Sequence, residues 1–197
     1  MSRFIETLHL NEGQFLNLFL HQERLRKTIE AYFPGMPVFD LETILKERHL
    51  PSAGKYRCTL TYSSQPEDFS IIPYKPRKIN HLITKNGGNI SYSFKLADRS
   101  ELNRLLEGFE PDEEIIILKD GWVTDASYAN LAFYSGGKWY TPSTPLLNGT
   151  KRQLLIRKGK ILETVIQESD LKKFQKCSLI NAMLDLGEVE IDCQNIR

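Results

Sequence analysis

The chain has 197 residues, of which 41% are hydrophobic, 10% aromatic and 26% charged. These values are typical of soluble globular proteins and exclude a disordered or collagen-like chain. The 26 Lys and Arg residues are matched by 25 Asp and Glu residues, for a net charge of +1. No excess charge therefore draws the protein to nucleic acid or to an anionic membrane. The length fits one domain or two small ones.

The sequence also predicts where the protein works. Its apolar runs are all much shorter than the roughly 20 residues that a membrane helix needs. The first residues, MSRFIETLHL, lack a basic stretch followed by an apolar one, which a secretory signal requires. The three cysteines, Cys58, Cys177 and Cys193, are an odd number without metal-ligand spacing. We therefore expect a cytoplasmic protein with neither a membrane nor a nucleic acid as partner.

The first part of the chain predicts a small α/β unit. Residues 4–10 are rich in β-formers, and Asn11-Glu12-Gly13 supplies a turn before a second strand. Apolar residues then recur at helical spacing until Pro34. The predicted elements are strands at 4–10 and 15–18, helices at 19–33 and 40–48, the second capped by Asp40, and strands at 56–62 and 69–74.

The stretch 74–89 contains Pro76, Gly87 and Gly88 and is predicted to join two subdomains. The expected division is a smaller N-terminal subdomain at 1–86 and a C-terminal subdomain at 87–197. The run Glu114 to Leu118 predicts a strand covered on both faces. Further predicted elements are an extended segment at 90–93, helices at 95–106, 150–156 and 169–174, strands at 122–125, 131–134, 138–140 and 161–166, and an apolar run at 177–192 that Gly187 divides.

Most familiar catalytic motifs are missing from the sequence. It contains no Walker loop, nucleophile elbow, zinc-ligand spacing or dinucleotide fingerprint. Its four histidines are scattered, which favours structural over catalytic roles. Gly136-Gly137 lies between two aromatic segments and predicts a hairpin turn, not a phosphate loop.

An ordered set of short motifs is more informative than any single one. The set comprises Phe4-Ile5-Glu6-Thr7, His21 to Leu25, Tyr92 to Lys95 with Arg99, Gly121 to Asp125 with Ala129-Asn130-Leu131, Thr141-Pro142 with Leu147 to Arg152, and Ile180-Asn181-Ala182. In order and spacing it resembles the class IV aminotransferases, a family of pyridoxal-phosphate enzymes. The resemblance covers nearly the whole chain, and the stretch from Trp122 to Arg152 is its most specific part.

The resemblance implies an α/β protein of two subdomains, the fold type IV of pyridoxal-phosphate enzymes, and a homodimer. It identifies Lys95 as the catalytic amine, in the C-terminal subdomain. Such an amine forms the resting Schiff base with pyridoxal phosphate and later moves protons at the substrate carbon. A solvated surface charge is the alternative role for a lone lysine at the start of a helix.

The resemblance also assigns the groups that bind the cofactor. Arg24 would neutralise the phosphate, and Asp125, where the family usually has Glu, would face the ring nitrogen. Backbone amides at a glycine-opened helix start suit a phosphate group. The remaining implied residues are Asn130 beside the ring nitrogen, Leu147 under the ring, Gly149, Thr150, Lys151, Asn181 and Ala182 at the phosphate, and Thr7, Arg57, Tyr92 and Arg99 toward the substrate.

Three functions remain open at this stage. The segments 147–152 and 180–182 resemble those of 4-amino-4-deoxychorismate lyase, which eliminates pyruvate to give p-aminobenzoate for folate synthesis. Branched-chain transaminases usually have a tyrosine at the position of Ser100. An aminotransferase acting on branched-chain or D-amino acids is the second possibility, and a non-catalytic binding relative of the same fold is the third. In the first two cases the partner is a small-molecule substrate.

Overall fold

The computed structural model describes residues 2–197, which form two compact units. The first unit contains the chain up to Lys75 together with Phe94–Asp98, and the second contains Pro76–Ser93 and Arg99–Arg197. This division differs from the predicted boundary between residues 86 and 87, and it places Lys95 in the first unit. The difference arises because residues 94–98 form backbone hydrogen bonds with residues 3–5 of the first unit, whereas residues 81–86 pair with residues 113–118 of the second.

The first unit is an antiparallel sheet with helices packed against it. Its strands lie in the order β2-β1-β3-β4. Phe4, Leu8 and Leu10 alternate along the first strand and are fully buried, as expected for one face of a strand packed on a core. The elements are β1 (Phe4–Asn11), β2 (Gln14–Phe15), α1 (Leu18–Tyr32), α2 (Leu41–Lys46), β3 (Lys55–Tyr62) and β4 (Pro66–Pro73).

The second unit contains two mixed sheets, ordered β5-β6-β7 and β10-β9-β8-β11-β12. Strand β6 is parallel to β5, and its residues Ile115 to Ile117 are fully buried, as the apolar run predicts. The elements are β5 (His81–Asn86), α3 (Ser100–Leu105), β6 (Glu113–Lys119), β7 (Trp122–Val123), β8 (Asn130–Ser135), β9 (Lys138–Pro142), α4 (Thr150–Arg157), β10 (Leu162–Thr164), a 3₁₀ helix (Glu168–Lys173), β11 (Lys176–Ile180), β12 (Glu190–Asp192) and a 3₁₀ helix (Cys193–Asn195).

The predicted α/β class is confirmed, and several local predictions hold. Asp40 caps α2 by accepting a hydrogen bond from the Thr43 amide at 2.7 Å. Gly136 and Gly137 join β8 to β9, and their φ angles of 57° and 79° explain why glycine occupies both positions of the turn. Within residues 2–197, no helix has the length and hydropathy that crossing a bilayer demands.

One prediction around the lysine segment is wrong. The helix expected at 95–106 begins only at Ser100, because residues 94–98 run beside β1 instead. The Ile5 amide donates to the Lys95 carbonyl at 3.0 Å, and the Ala97 amide donates to the Arg3 carbonyl at 2.8 Å. The change of unit between Lys75 and Pro76 falls inside the joint predicted at 74–89, and the later part of that stretch forms β5, which pairs with β6.

Candidate functional site

In the first unit, a buried carboxylate binds the arginine that the motif set singles out. Glu6 lies on the core-facing side of β1 and is fully buried. Arg24 donates to it through Nε at 2.8 Å and Nη2 at 2.5 Å, and His21 Nδ1 lies 2.6 Å from its Oε2. His21 and Arg24 are three residues apart on α1, which places both on one face of the helix. We call these three residues the Glu6 cluster.

The Glu6 cluster is electrostatically coupled. Burial alone would raise the pKa of Glu6, but the charge of Arg24 and hydrogen bonds from Arg24 and His21 outweigh it and lower the pKa to about 2. Burial lowers the pKa of His21, and the charges of Arg24 and Lys95 add to that effect against the opposing influence of Glu6. The cluster therefore holds an ionised carboxylate and guanidinium beside a histidine whose neutral form burial favours.

Lys95 lies in the same unit, on the segment paired with the start of β1. Its neighbour Leu96 forms a β-bridge with Phe4. Its side chain is partly buried, and its charge acts on His21. The structure thus brings two of the predicted site residues, Lys95 and Arg24, together around one strand.

The predicted substrate residues of the first unit lie on the other side of its sheet. Thr7 is next to Glu6 in β1 and therefore faces away from the core. Arg57 is exposed on β3, where it pairs with His9, a β1 residue of the same parity as Thr7. The structure does not place either residue with the Glu6 cluster, and their substrate role stays a prediction.

In the second unit, the buried Asp125 carboxyl binds two loops. Its Oδ1 accepts from Asn130 Nδ2 at 2.6 Å, and its Oδ2 accepts from the Leu147 amide at 2.9 Å. Asn130 Nδ2 also donates to the Leu147 carbonyl at 2.8 Å. Burial raises the pKa of Asp125 to about 6, although these hydrogen bonds and the charge of Arg152 oppose the rise. Three predicted site residues are therefore joined directly.

Gly149 is required by the closeness of Asn130. A Cβ atom built on Gly149 would lie 2.1 Å from Asn130 Oδ1, a distance that no side chain tolerates. Gly149 is also the N-cap of α4, and it offers no side chain to accept a hydrogen bond from the first turn. Gly149 itself therefore supplies no side-chain acceptor to the amides that open α4, and an anion suits that position.

The side chains at the start of α4 are unusually buried for this position. Thr150, Lys151 and Arg152 are exposed by only 3%, 5% and 2%. The Lys151 ammonium pairs with Asp185 Oδ1. Arg152 donates to the Pro142 carbonyl at 2.8 Å and pairs with Glu163 at 2.5 Å. The helix start is thus anchored on both sides by charged groups.

Asn181 begins a tight turn after β11. Its Oδ1 accepts from the amides of Met183 and Leu184 at 2.8 and 3.0 Å, and its Nδ2 donates to the Tyr128 carbonyl at 3.2 Å. Ala182 lies within this turn and is partly buried. The turn therefore lies against the loop that carries Asp125.

Three loops of the second unit are consequently linked in pairs: residues 125–130, 147–151 and 181–185. Asp125 joins the first to the second, Asn181 joins the first to the third, and Lys151 joins the second to the third. We call this arrangement the three-loop network. It contains all eight cofactor-binding residues predicted in this unit.

Arg99 and Tyr92 occupy other positions in the second unit. Arg99 Nη2 donates to the Ser127 carbonyl at 2.7 Å, which attaches it to the first loop of the network. Tyr92 lines a cavity of about 340 Å³ together with Trp122 and Thr124. Their predicted substrate role remains a prediction.

Glu6, His21 and Asp185 are functional candidates to which the sequence analysis assigns no role, although Glu6 and His21 belong to the motif set. A charged residue between Phe4 and Leu8 on an otherwise apolar strand face is a signal that could have revealed Glu6. His21 is one of four scattered histidines, a pattern that favours a structural role. Nothing in the sequence marks Asp185, because its partner is 34 residues away.

Comparisons with known proteins agree with this architecture. The family model for amino-transferase class IV matches residues 89–190. An uncharacterised protein of Haemophilus influenzae is 34% identical over 93% of this chain and 98% of its own length.

Two solved structures are also similar. One, from Haemophilus somnus and provisionally named a 4-amino-4-deoxychorismate lyase, is 34% identical with a TM-score of 0.87, covering 94% of this chain and 98% of that one. A hypothetical aminotransferase from Mycobacterium tuberculosis, in its pyridoxal-phosphate-bound form, is 17% identical with a TM-score of 0.75, covering 99% and 81%. The predicted fold is thereby confirmed, and the chain belongs to the class IV aminotransferase family.

Proposed function

We propose that this protein is a pyridoxal-phosphate-dependent lyase that converts 4-amino-4-deoxychorismate to p-aminobenzoate and pyruvate. The observation that carries the proposal is the near full-length similarity, at 34% identity, to the Haemophilus somnus protein provisionally named as this lyase. The lyase-like segments 147–152 and 180–182, and Ser100 in place of a tyrosine, favour the same activity.

The residues present fit pyridoxal phosphate. A primary amine at Lys95 suits its aldehyde, and the buried Asp125 carboxyl suits its ring nitrogen. Each carboxylate oxygen has two acceptor sites, so the hydrogen bonds from Asn130 and Leu147 leave Asp125 further acceptor capacity. For a phosphate group, Arg24 offers a cation in the first unit, and the opening amides of α4 and the Ala182 amide offer donors in the second.

When bound, the cofactor supplies an electron sink for the carbon from which a proton is removed. Lys95 would hold the cofactor covalently at rest and then accept the proton that the substrate ring loses. The C–O bond to the enolpyruvyl group breaks with its electrons going to oxygen, the ring becomes aromatic, and the released enolate takes up a proton on carbon to become pyruvate. One substrate therefore gives two products without an amino acceptor.

The other site residues would orient the cofactor and keep its ring nitrogen protonated. Glu6 fixes the orientation of the Arg24 guanidinium through two of its nitrogens, so Arg24 meets a phosphate in a defined position. Asp125 would keep the ring nitrogen protonated, which maintains the electron sink. Leu147 is positioned by its own backbone hydrogen bonds to Asp125 and Asn130.

The experiment supplies the purified protein with pyridoxal phosphate and 4-amino-4-deoxychorismate alone. We expect p-aminobenzoate and pyruvate in equal amounts over many turnovers, and no product with Lys95→Ala. If the protein is inert there but turns over an amino acid with 2-oxoglutarate, the aminotransferase alternative replaces the lyase. If neither 4-amino-4-deoxychorismate nor the amino acid with 2-oxoglutarate reacts, the protein is a non-catalytic relative.

Family membership also leads us to propose a homodimer. Sedimentation equilibrium of the purified protein tests this directly, with twice the chain mass of 22.8 kDa as the expected result. A single-chain mass at micromolar concentration would contradict it.

A further inference from the structure

We propose that the ion pair of Lys151 and Asp185 positions the phosphate-binding amides of the second unit. Both are positioning residues, because neither is assigned a contact with the phosphate through its side chain. The inference rests on the proposed function, since it concerns how this chain binds the phosphate of pyridoxal phosphate.

The burial of the pair is asymmetric. The Lys151 side chain is 5% exposed, whereas Asp185 is 66% exposed. A nearly buried ammonium is costly unless it is paired, so Lys151 has a strong requirement for a counter-charge. Asp185 reaches in from the surface to provide that charge.

The location of the pair matters more than its strength. Lys151 is the second residue of α4, whose opening amides form one predicted donor set. Asp185 follows the Asn181–Leu184 turn, which contains the second donor set. The ion pair is therefore a direct link between the two sets, 34 residues apart in sequence.

The pair also closes the three-loop network. Asp125 holds the 147–151 loop and Asn181 holds the 125–130 loop, each through side-chain-to-backbone hydrogen bonds. The ion pair links the 147–151 and 181–185 loops directly, in addition to the connections that each makes with the 125–130 loop. Closing the network fixes the spacing of the amides before any ligand arrives, which reduces the ordering cost of binding.

The test compares two ligands that differ only in the phosphate, pyridoxal phosphate and pyridoxal. Dissociation constants are measured by absorbance titration for the wild type, Lys151→Met, Asp185→Asn and the double variant. Lys176→Met is the matched control, because Lys176 forms an ion pair with Glu190 between neighbouring strands of the same unit. Thermal unfolding of each variant verifies that it is folded.

We expect each single variant to bind pyridoxal phosphate about fivefold more weakly, the effect of losing about 1 kcal/mol. Pyridoxal affinity should not change, and Lys176→Met should match the wild type with both ligands. The double variant should lose no more than either single variant, because both break one link.

Three results would overturn the proposal. Additive losses in the double variant would show that the residues act separately. Tighter binding in Asp185→Asn would show that Asp185 competes with the phosphate for Lys151. Unchanged affinities in folded variants would make the pair irrelevant. A wild type that does not prefer pyridoxal phosphate over pyridoxal would instead refute the proposed function itself.

Discussion

Glu6 and Asp125 are two buried carboxyls, one in each unit, whose pKa values are shifted in opposite directions. Glu6 is fully buried and Asp125 is 5% exposed, so burial alone does not separate them. The pKa of Glu6 falls to about 2 because Arg24 places a full positive charge against it, whereas burial raises the pKa of Asp125 to about 6 because its direct partners are neutral amides.

The comparison shows that the charge of the partner decides the protonation state of a buried carboxyl. It also suits the proposed roles. Glu6 has a permanent cation to orient, while the carboxyl of Asp125 lacks a bonded cation until a protonated ring nitrogen supplies one. Substitutions at these carboxyls and at neighbouring sites test this difference.

The largest effect is expected from Glu6→Gln. Removing one partner of a buried ion pair leaves the other charge uncompensated and costs about 3–5 kcal/mol. We expect the free energy of unfolding, measured by urea denaturation at pH 7, to fall by that amount. The loss should shrink as the pH falls from 4.5 toward 2, because wild-type Glu6 then gains its own proton. A loss that is independent of pH would contradict the lowered pKa of Glu6.

The pH dependence of Asp125→Asn has the opposite sign. The folded-state pKa of Asp125 is raised from 3.8 to about 6, so the wild-type protein without cofactor loses stability as the pH rises through this window. The free energy of unfolding lost across this window is on the order of 3 kcal/mol. Urea denaturation at intervals from pH 4 to 7 should show the variant gaining stability relative to the wild type by that amount. A flat difference would mean that Asp125 titrates normally.

Asp125→Asn should also lower turnover while pyridoxal phosphate remains bound, because an amide cannot keep the ring nitrogen protonated. Steady-state assays at saturating cofactor measure this. Near-normal turnover would place a different acid at the ring.

Gly149→Ala tests the packing within the three-loop network. The added Cβ would meet Asn130 Oδ1 at 2.1 Å, and Asn130 must then move away from Asp125. We expect the free energy of unfolding, measured by urea denaturation, to fall by about 1–3 kcal/mol, as for other overpacked sites. Gly159→Ala is a control with open space around the Cβ, although its positive φ adds some strain. Equal losses in the two variants would show that crowding at Asn130 is unimportant.

The smallest loss of stability is expected from Glu67→Gln in the first unit. Glu67 pairs with Arg3 at 2.6 Å, but their side chains are 31% and 56% exposed. Solvent screens an exposed pair of this kind, so we expect the free energy of unfolding, measured by urea denaturation, to change less than in the variants of buried residues. A loss as large as that of Glu6→Gln would contradict the role assigned to burial in the comparison.

Features set by local sequence were predictable. The helix ending before Pro34, the Asp40 cap and the buried β6 strand follow from patterns within a few residues. The lysine segment was not predictable in the same way. Its helical spacing is overridden by hydrogen bonds to β1, which lies about 90 residues earlier.

The candidate site likewise contains residues that the sequence predicts and contacts that it does not. The motifs identified Asp125, Asn130 and Leu147 as neighbours in function, and the structure joins them by hydrogen bonds. The ion pairs of Glu6 and Asp185 escaped prediction because each residue pairs with one on another element, and sequence spacing carries no information about such contacts.

Reduction with borohydride followed by peptide mass mapping tests whether pyridoxal phosphate is attached to Lys95. The wild type, incubated with the cofactor, should carry the cofactor mass on the peptide that contains Lys95, and Lys95→Ala should carry none while remaining folded. A reduced adduct on any other lysine, or one retained in Lys95→Ala, would contradict the assignment.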